Sequence, residues 1–537
     1  MTHPSPTPAG LYEELIRRAT EEAAQRRPRP PRASASIVPW RRRGGAVEVF
    51  WVQRSPALRF MGGWHAFPGG ALAEEDRGLA LGGNPRGILE TPSQAGMPEP
   101  VPTDLAANEV PGIVACALRE LFEECGILPL SPDGGALSQE GLDAARRQLL
   151  DETASFPGLL APWRARPDAR RLVYAGRWIT PPLAPVRFDN RFFLLEWTET
   201  EAVQPSIWPG ELSLGEWIEP ARALAAWERG EVLTSPPIAH ILRVLAEDGP
   251  EGGLPRLVAP VEANLGPFRK VEFRPGVVLI PLRTPTLPPA THTNSFLLGL
   301  GEAVLVDPGS PLPGEIAALK RCLRDARQLH GLDVKEIWLT HHHPDHVGGL
   351  EEIRGEFRLP VCAHRATAER LAGLGIAIDR FLEDGQRIVL GGARPFPVQV
   401  RHTPGHARGH LCFYDETYGS LIAGDLVAGI GTIVIDPPEG DMAQYLDSLE
   451  KMIELAPRTL FPAHGPPKRE ALGSLIRLRE HRLAREAKVL AAWQGGLREP
   501  LAMVPDVYGE EIPPEIHPVA ARQVLAHLDR LRSQGRI

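Results

Sequence analysis

The run Ile337-Trp338-Leu339-Thr340-His341-His342-His343-Pro344-Asp345-His346 constrains this chain more than any other segment. An apolar, β-prone stretch ends abruptly in four histidines and an aspartate. A buried strand that delivers ligands into the loop at its C-terminal end leaves this pattern. In extended backbone alternate side chains point the same way, so His341 and His343 share one side and His342 takes the other. Asp345 and His346 then turn back and are placed to serve a second ion. Nine of the 17 histidines fall between His341 and His464. Other candidates close apolar runs of their own: His402 and His406 after Pro397–Val400, Asp425 after Ser420–Gly424, and His464 after Thr459–Ala463. Strand followed by ligand, repeated, is what a metal cleft along one edge of a sheet sandwich requires. A divalent ion with nitrogen and oxygen ligands and an open position lowers the pKa of bound water to about 7, so hydrolysis is the expected chemistry. His364, after Leu359–Cys362, reads as a packed core histidine.

The N-terminal half carries a different chemistry. Ala117-Leu118-Arg119-Glu120-Leu121-Phe122-Glu123-Glu124-Cys125-Gly126 has helical spacing and a glycine stop. Glu120, Glu123 and Glu124 stand at i, i+3 and i+4 and share one face. Three like charges beside apolar Leu121 and Phe122 invite Mg²⁺ or Mn²⁺, with Arg119 placed to orient one carboxylate. Upstream, a strand expected at Ala46 to Gln53 leads into Arg54, Ser55, Arg59, Gly63 and Phe67-Pro68-Gly69-Gly70. Two arginines beyond a strand suit the clustered phosphates of a nucleotide.

From His341 through His464 the motifs resemble the metallo-β-lactamase superfamily, and Val304-Leu305-Val306-Asp307-Pro308-Gly309 resembles the strand and turn near the start of that fold. The resemblance implies an αββα fold in which His341, His343 and His406 hold one ion. Asp345, His346 and His464 would hold a second, with Asp425 bridging, zinc being the expected metal and a hydroxide between the ions the nucleophile. His402 and His410 are weaker candidates, as supporting or substrate-side groups. Thr291-His292-Thr293-Asn294-Ser295-Phe296 resembles the opening strand of the β-lactamase-like endoribonuclease branch. The tail, with His481-Arg482 and Arg485-Glu486 on an expected helix, resembles that branch's small winged-helix-like domain. Residues 466–537 hold 12 Lys and Arg against 9 Asp and Glu, a surplus too small to establish or exclude RNA contact.

The acidic helix is similar to the second half of the Nudix box, Phe67–Gly70 to the first half, and Asp76 stands where the box has Glu. Gly70 and Arg119 are 49 positions apart, about 35 more than the box allows. The arginine run from Arg54 resembles the coenzyme A signature of Nudix diphosphatases, and Trp178–Pro182 with Arg187–Phe193 resembles the long-insert subgroup that contains peroxisomal coenzyme A diphosphatases. This implies a diphosphatase with Arg54 and Arg59 on substrate and Glu120, Glu123 and Glu124 on metal.

The chain of 537 residues then divides into an arm (1–34, with a short amphipathic helix at Leu11 to Ala24), a Nudix α/β/α domain (35–248, insertion about 77–112) and a linker (249–270). A metallo-β-lactamase domain (271–465) and a helical or winged-helix-like C-terminal domain (466–537) follow. The net charge of -8 argues against a DNA-coating protein. Five scattered cysteines form neither a disulfide framework nor zinc pairs. With no apolar run near membrane-spanning length and no signal-like start, a soluble, cytoplasmic setting is expected. The expected substrates are a nucleotide or acyl-CoA, with a thioester for the second half. Single-stranded RNA is the alternative there. A further alternative makes the Nudix half a ligand sensor.

Overall fold

The computed structural model describes residues 30–537 except 59–60, 88–109, 132–137, 165, 181–185, 259–270, 393 and 510–511. The Leu11–Ala24 segment, Arg59, most of the insertion and the later part of the expected linker lie outside the described residues. Two compact units emerge, Arg29–Arg274 and Pro275–Ile537.

The first unit is built on β1 (Arg32–Arg43). It pairs antiparallel with β2 (Ala46–Arg54) and parallel with β6 (Phe188–Glu196). β3 (His65–Ala66) and β5 (Leu172–Ile179) extend the two sides, β4 (Gly69–Ala71) adds to β1, and β7 (Leu212–Ile218) adds to β2. Successive residues of β1 serve opposite faces. Ala35 and Ile37 enter a core with Val114, Leu118 and Leu121 of the helix Val110–Cys125. Val38 and Trp40 enter a second core with Ile241, Leu242 and Leu245 of the helix Pro236–Gly252. Helices therefore cover both faces, which is the α/β/α sandwich expected. Val110–Cys125 stops where Gly126 takes a φ of 71° and donates its N–H to the Phe122 carbonyl.

Residues 249–258, read from their Gly and Pro content as the start of a linker, include helical stretches on either side of Gly253. Gly249, at φ 71°, breaks the helix Pro236–Gly252 before Pro250. A short helix, Leu254–Val258, follows and buries Leu257. Gly176 makes room for it: a Cβ there would stand 2.2 Å from the Leu257 carbonyl oxygen. β8 (Val271–Arg274) completes this unit.

In the second unit β9 (Val277–Arg283), β10 (His292–Leu298), β11 (Glu302–Val306), β12 (Asp333–Trp338), β13 (Val361–Ala363) and β14 (Arg380–Phe381) pair in sequence order. A second sheet is formed, also in order, by β15 (Arg387–Leu390), β16 (Phe396–His402), β17 (Leu411–Asp415), β18 (Ser420–Gly424) and β19 (Thr459–Pro462). Aromatic rings lock the two sheets face to face, Phe296 on Phe461 at 6.2 Å and Trp338 on Phe413 at 5.1 Å. All four are buried, and removing each such side chain from water contributes about 1.5–3 kcal/mol. Strand direction then fixes the site. β11 and β12 run parallel, so Asp307 and His341 leave the same edge of the first sheet. β16 and β18 are each antiparallel to β17, and β18 is parallel to β19. The residues after β16, β18 and β19 thus emerge together at one edge of the second sheet. The helices Ala471–Gln494, Pro500–Tyr508 and His517–Ser533 pack on a core of Val489, Val504, Val507, Val524 and Leu528. No described helix is long and apolar enough to cross a membrane.

Candidate metal centres

Three imidazole nitrogens meet at the strand ends of the second unit. His341 Nε2 and His406 Nε2 each lie 2.9 Å from His343 Nδ1. A second group gathers Asp345, His346 and His464, with His464 Nε2 3.5 Å from Asp345 Oδ2. Asp425 stands between the groups. Its Oδ2 is 3.3 Å from His406 Nε2, and its Oδ1 is 3.3 Å from His464 Nε2 and 3.6 Å from His346 Nε2.

The far side of each ring decides which nitrogen carries a proton. His406 Nδ1 donates to the Val434 carbonyl (2.7 Å), His464 Nδ1 to the His292 carbonyl (3.0 Å) and His346 Nδ1 to Asp307 Oδ2 (2.8 Å). Thr340 Oγ1 gives its own proton to Asp307 Oδ2, so it accepts from His341 Nδ1 at 3.0 Å. Every one of these Nε2 atoms therefore turns a bare lone pair inward. His346 Nε2 and Asp425 Oδ1 are buried and have no hydrogen-bond partner. Converging lone pairs and an unpartnered carboxylate oxygen repel unless a cation lies between them, so the donor set fits two divalent ions.

The charges agree. Burial pushes His341 and His343 well below the usual histidine range, and the neighbouring imidazoles add to it. Burial acts the same way on His346, but Asp345, Asp425 and Asp307 outweigh it and hold that ring above the range. Burial alone would raise Asp425; His464 and His346 hold it well below the ordinary carboxylate value.

The N-terminal glutamates share a face as expected but do not converge. Among the described residues, the clusters with three mutually close ligand atoms all lie in the second unit. Arg119 takes Glu123 at 3.1 Å and Glu120 at 3.0 Å, while Glu124 Oε2 accepts from the Gly69 N–H at 2.8 Å. Burial raises all three carboxyls, Glu120 to about 7. A Cβ at Gly70 would meet Glu120 Oε1 at 2.3 Å, so any side chain there would push that carboxylate aside. Asp76, fully buried, grips Arg119 through both oxygens at 2.8 and 3.0 Å. The shorter acid thus still anchors the arginine across the insertion. Arg54 pairs with Glu211 at 2.8 Å.

Residues 22–245 match the family model of the NUDT19 Nudix domain, 288–464 that of the metallo-beta-lactamase superfamily, and 500–537 that of the beta-lactamase associated winged helix domain. The chain is 33% identical over 264 residues to the beta-lactamase-like protein 2 homolog of Drosophila melanogaster, covering 46% of this chain and 84% of that one. The chain belongs to the metallo-beta-lactamase superfamily. It carries a NUDT19-type Nudix domain ahead of that fold, and both are hydrolase families. A hydroxyacylglutathione hydrolase of Bdellovibrio bacteriovorus is 31% identical over 159 residues, 30% of this chain and 56% of that one. The crystal structure of a metallo-beta-lactamase family protein from Thermus thermophilus aligns at a TM-score of 0.41 and 26% identity, over 49% of this chain and 95% of that one.

Within the metallo-β-lactamase half, several residues that the sequence did not single out for these roles position the cluster. Asp307, at φ 50°, accepts from the Thr340 N–H (2.8 Å) and hydroxyl (2.6 Å) as well as from His346. Its Asp-Pro-Gly turn was the available signal. Asn294 ties β10 to the His464 loop through the carbonyls of Pro462 and Gly465, both at 2.9 Å. His410 points away from both donor groups: its Nε2 accepts from the Asp425 N–H at 2.9 Å, and Thr403 Oγ1 holds its Nδ1 at 2.8 Å. Burial drives it down to about 3, so it is a neutral support for the Asp425 turn. His402 stacks on His364 at 4.1 Å, and its Nε2 bonds the Arg408 carbonyl, away from the cluster. The C-terminal helices reach the same site. Arg482 and Gln523 donate to the Ile433 carbonyl at 2.7 and 2.8 Å, one residue before the Val434 carbonyl that holds His406.

Proposed function

We propose that the chain is a two-headed metal-dependent hydrolase acting on coenzyme A-type substrates. The Nudix half cleaves the diphosphate of coenzyme A or an acyl-CoA, and the metallo-β-lactamase half hydrolyses a thioester. The observation that carries the second assignment is Asp425, one carboxylate oxygen turned toward each donor group. His341, His343 and His406 would hold one ion and Asp345, His346 and His464 the other, with Asp425 shared and zinc the metal favoured by the nitrogen-rich donor set. Bound there, such ions make water acidic enough to attack near pH 7 and polarise the substrate's carbonyl oxygen.

The protein's own part is orientation. The Val434 and His292 carbonyls and Asp307 each keep a proton on Nδ1 and so hold Nε2 as a donor. His410 fixes the Asp425 backbone, and Thr293 Oγ1 donates to Asp345 Oδ2 at 3.4 Å. In the Nudix half Glu120, Glu123 and Glu124 would take Mg²⁺ or Mn²⁺, releasing Arg119 from Glu120 and Glu123 while Asp76 keeps its grip. The thioester reading draws support from the similarity to a hydroxyacylglutathione hydrolase, whose name specifies a hydroxyacylated glutathione.

Full-length protein incubated with acetyl-CoA and Mg²⁺ or Mn²⁺, products resolved by mass, tests both assignments. Release of 3',5'-ADP should vanish in Glu124→Gln and persist in His341→Ala. Release of acetate should show the reverse. Single-stranded RNA cut in a His341-dependent way, with acetyl-CoA left intact, would replace the thioester reading with the endoribonuclease one. Nucleotide binding without any Glu124-dependent turnover would make the Nudix half a sensor.

A further inference from the structure

The segment that follows Asp425 and the helix Ala471–Gln494 enclose a cleft of about 270 Å³. Thr432, Lys468, Ser474, Arg477 and His481 line it together with apolar side chains, and no lining residue is acidic. A water in the liquid takes about 30 Å³, so the space admits a phosphate or diphosphate with several waters to spare.

Lys468 is held in place by its backbone, which exchanges both hydrogen bonds with Leu460 at 2.8 and 2.9 Å. Arg477 donates to Ser474 Oγ at 3.2 Å. Neither cation pairs with a carboxylate among the described residues. Burial lowers the Lys468 ammonium and Arg477 lowers it further, with no acid opposing them. Lys468, half-buried beside the exposed Arg477 and with no counter-charge, is favoured by an anion that joins the two.

The cleft adjoins the metal centre through the chain itself. Val427, in its lining, follows Asp425 by two residues, a reach of at most about 7 Å. The Gly429 N–H donates to the His464 carbonyl at 2.6 Å. Thr432 and Ile433, also in the lining, lead into the Val434 carbonyl that holds His406. One loop thus bonds a residue of each donor group and also lines the cationic cleft.

We propose that this cleft is a phosphate-binding subsite of the metallo-β-lactamase half, in which Lys468 and Arg477, aided by Thr432, Ser474 and His481, take the phosphates of a nucleotide-linked thioester. The assignment deepens the thioester reading given above and rests on it for the identity of the ligand. Occupied, the subsite would hold the substrate's nucleotide end beside the ions while its acyl group faces them. It would also make this half prefer coenzyme A esters over thioesters without phosphate.

Two measurements on the full-length, metal-loaded protein test it. The first is hydrolysis of acetyl-CoA against the acetyl thioester of N-acetylcysteamine, which has no phosphate. Lys468→Ala and Arg477→Ala should each raise KM for acetyl-CoA about tenfold, leave kcat within twofold, and leave the phosphate-free ester unchanged. Equal effects on both esters, or none, would overturn the subsite. The second is calorimetric titration with desulfo-coenzyme A, which keeps the phosphates and offers no sulfur to a metal. One binding event should disappear in the double variant Lys468→Ala/Arg477→Ala; its persistence would sink the idea without any need for turnover. Loss of that event in a protein that hydrolyses neither ester would keep the subsite and discard the thioester reaction. Unchanged desulfo-coenzyme A binding with weakened binding of a short single-stranded RNA would overturn the small-molecule assignment in favour of a nucleic-acid path.

Discussion

Asp307 shows how much of a candidate metal centre lies outside its expected ligands. One carboxylate takes the Thr340 N–H, the Thr340 hydroxyl and His346 Nδ1, and the hydroxyl in turn receives His341 Nδ1. A single residue therefore fixes the tautomer of a histidine in each donor group. Asp307→Asn would keep the shape but remove the charge and one acceptor. Affinity for an added divalent metal should fall about 10- to 100-fold in a chelator competition, with the folded far-ultraviolet spectrum retained. An unchanged metal affinity would show that Asp307 does not act through His346. Asp415 offers a pH test remote from the cluster. It closes the β17–β18 hairpin, accepting from the N–H groups of Thr417 and Tyr418, and burial pushes its carboxyl up to about 6. Because the folded value lies above the unfolded one of about 3.9, its stabilising share is complete below pH 4 and is lost as pH rises through 6. Asp415→Asn removes that titration. The variant should gain thermal stability relative to wild type at pH 7.5 compared with pH 4.5, and a constant difference across that range would refute the assignment.

At the level of elements, the strands bring the ligands and the C-terminal helices keep them aimed. Arg482, 3% exposed, directs its guanidinium to Thr432 Oγ1 and the Ile433 carbonyl, and Gln523 shares that carbonyl. Arg522 adds Asp436 and the Pro437 carbonyl. The stretch 432–437 is thereby pinned on both sides of Val434. Arg482→Met keeps the length and removes the donors, which should destabilise the unit by about 1–3 kcal/mol in urea unfolding. It should also speed loss of a divalent metal from the proposed group that contains His406 while sparing turnover by the Nudix half. Metal release at the wild-type rate would mean that the helices contribute packing and nothing to the site.

The whole molecule is two units with separate chemistries, and they handle buried charge differently. The metallo-β-lactamase half turns lone pairs and carboxylate oxygen inward for cations to join. The Nudix half satisfies its acids internally, with Arg119 held by buried Asp76 and reaching Glu120 and Glu123. Chelation should therefore lower the melting of Pro275–Ile537, because removing ions that bind only the folded state forfeits the stabilisation they give. Asp76→Ala leaves a buried guanidinium without its bidentate partner. It should cost about 3–5 kcal/mol and lower the melting of Arg29–Arg274 instead. Calorimetry with chelator and variant in turn assigns the two effects. A chelator shift confined to the first unit would contradict the placement of the metals.

Reading along the chain was enough for whatever depends on neighbours in sequence. The alternation after β12 put His341 and His343 on one side, the i, i+3, i+4 spacing put three glutamates on one face, and Gly126 ended their helix. Strand followed by ligand is likewise a local pattern, which is why His406, Asp425 and His464 could be picked out before their strands were seen to share an edge. Compensation of buried charge is not local. Asp76 finds Arg119 across 43 positions, Asp307 finds His346 across 39, and Arg482 reaches the carbonyl of Ile433 across 49. Residues 249–258, rich in Gly and Pro, hold helical stretches after the break at Gly249, and the second of them buries Leu257. Backbone periodicity follows from a residue and its neighbours, so the sequence alone determined the regularly patterned elements and the order of the candidate ligands. Which polar group answers which is settled by what the packed core brings within about 3 Å, and the tertiary structure alone decided that.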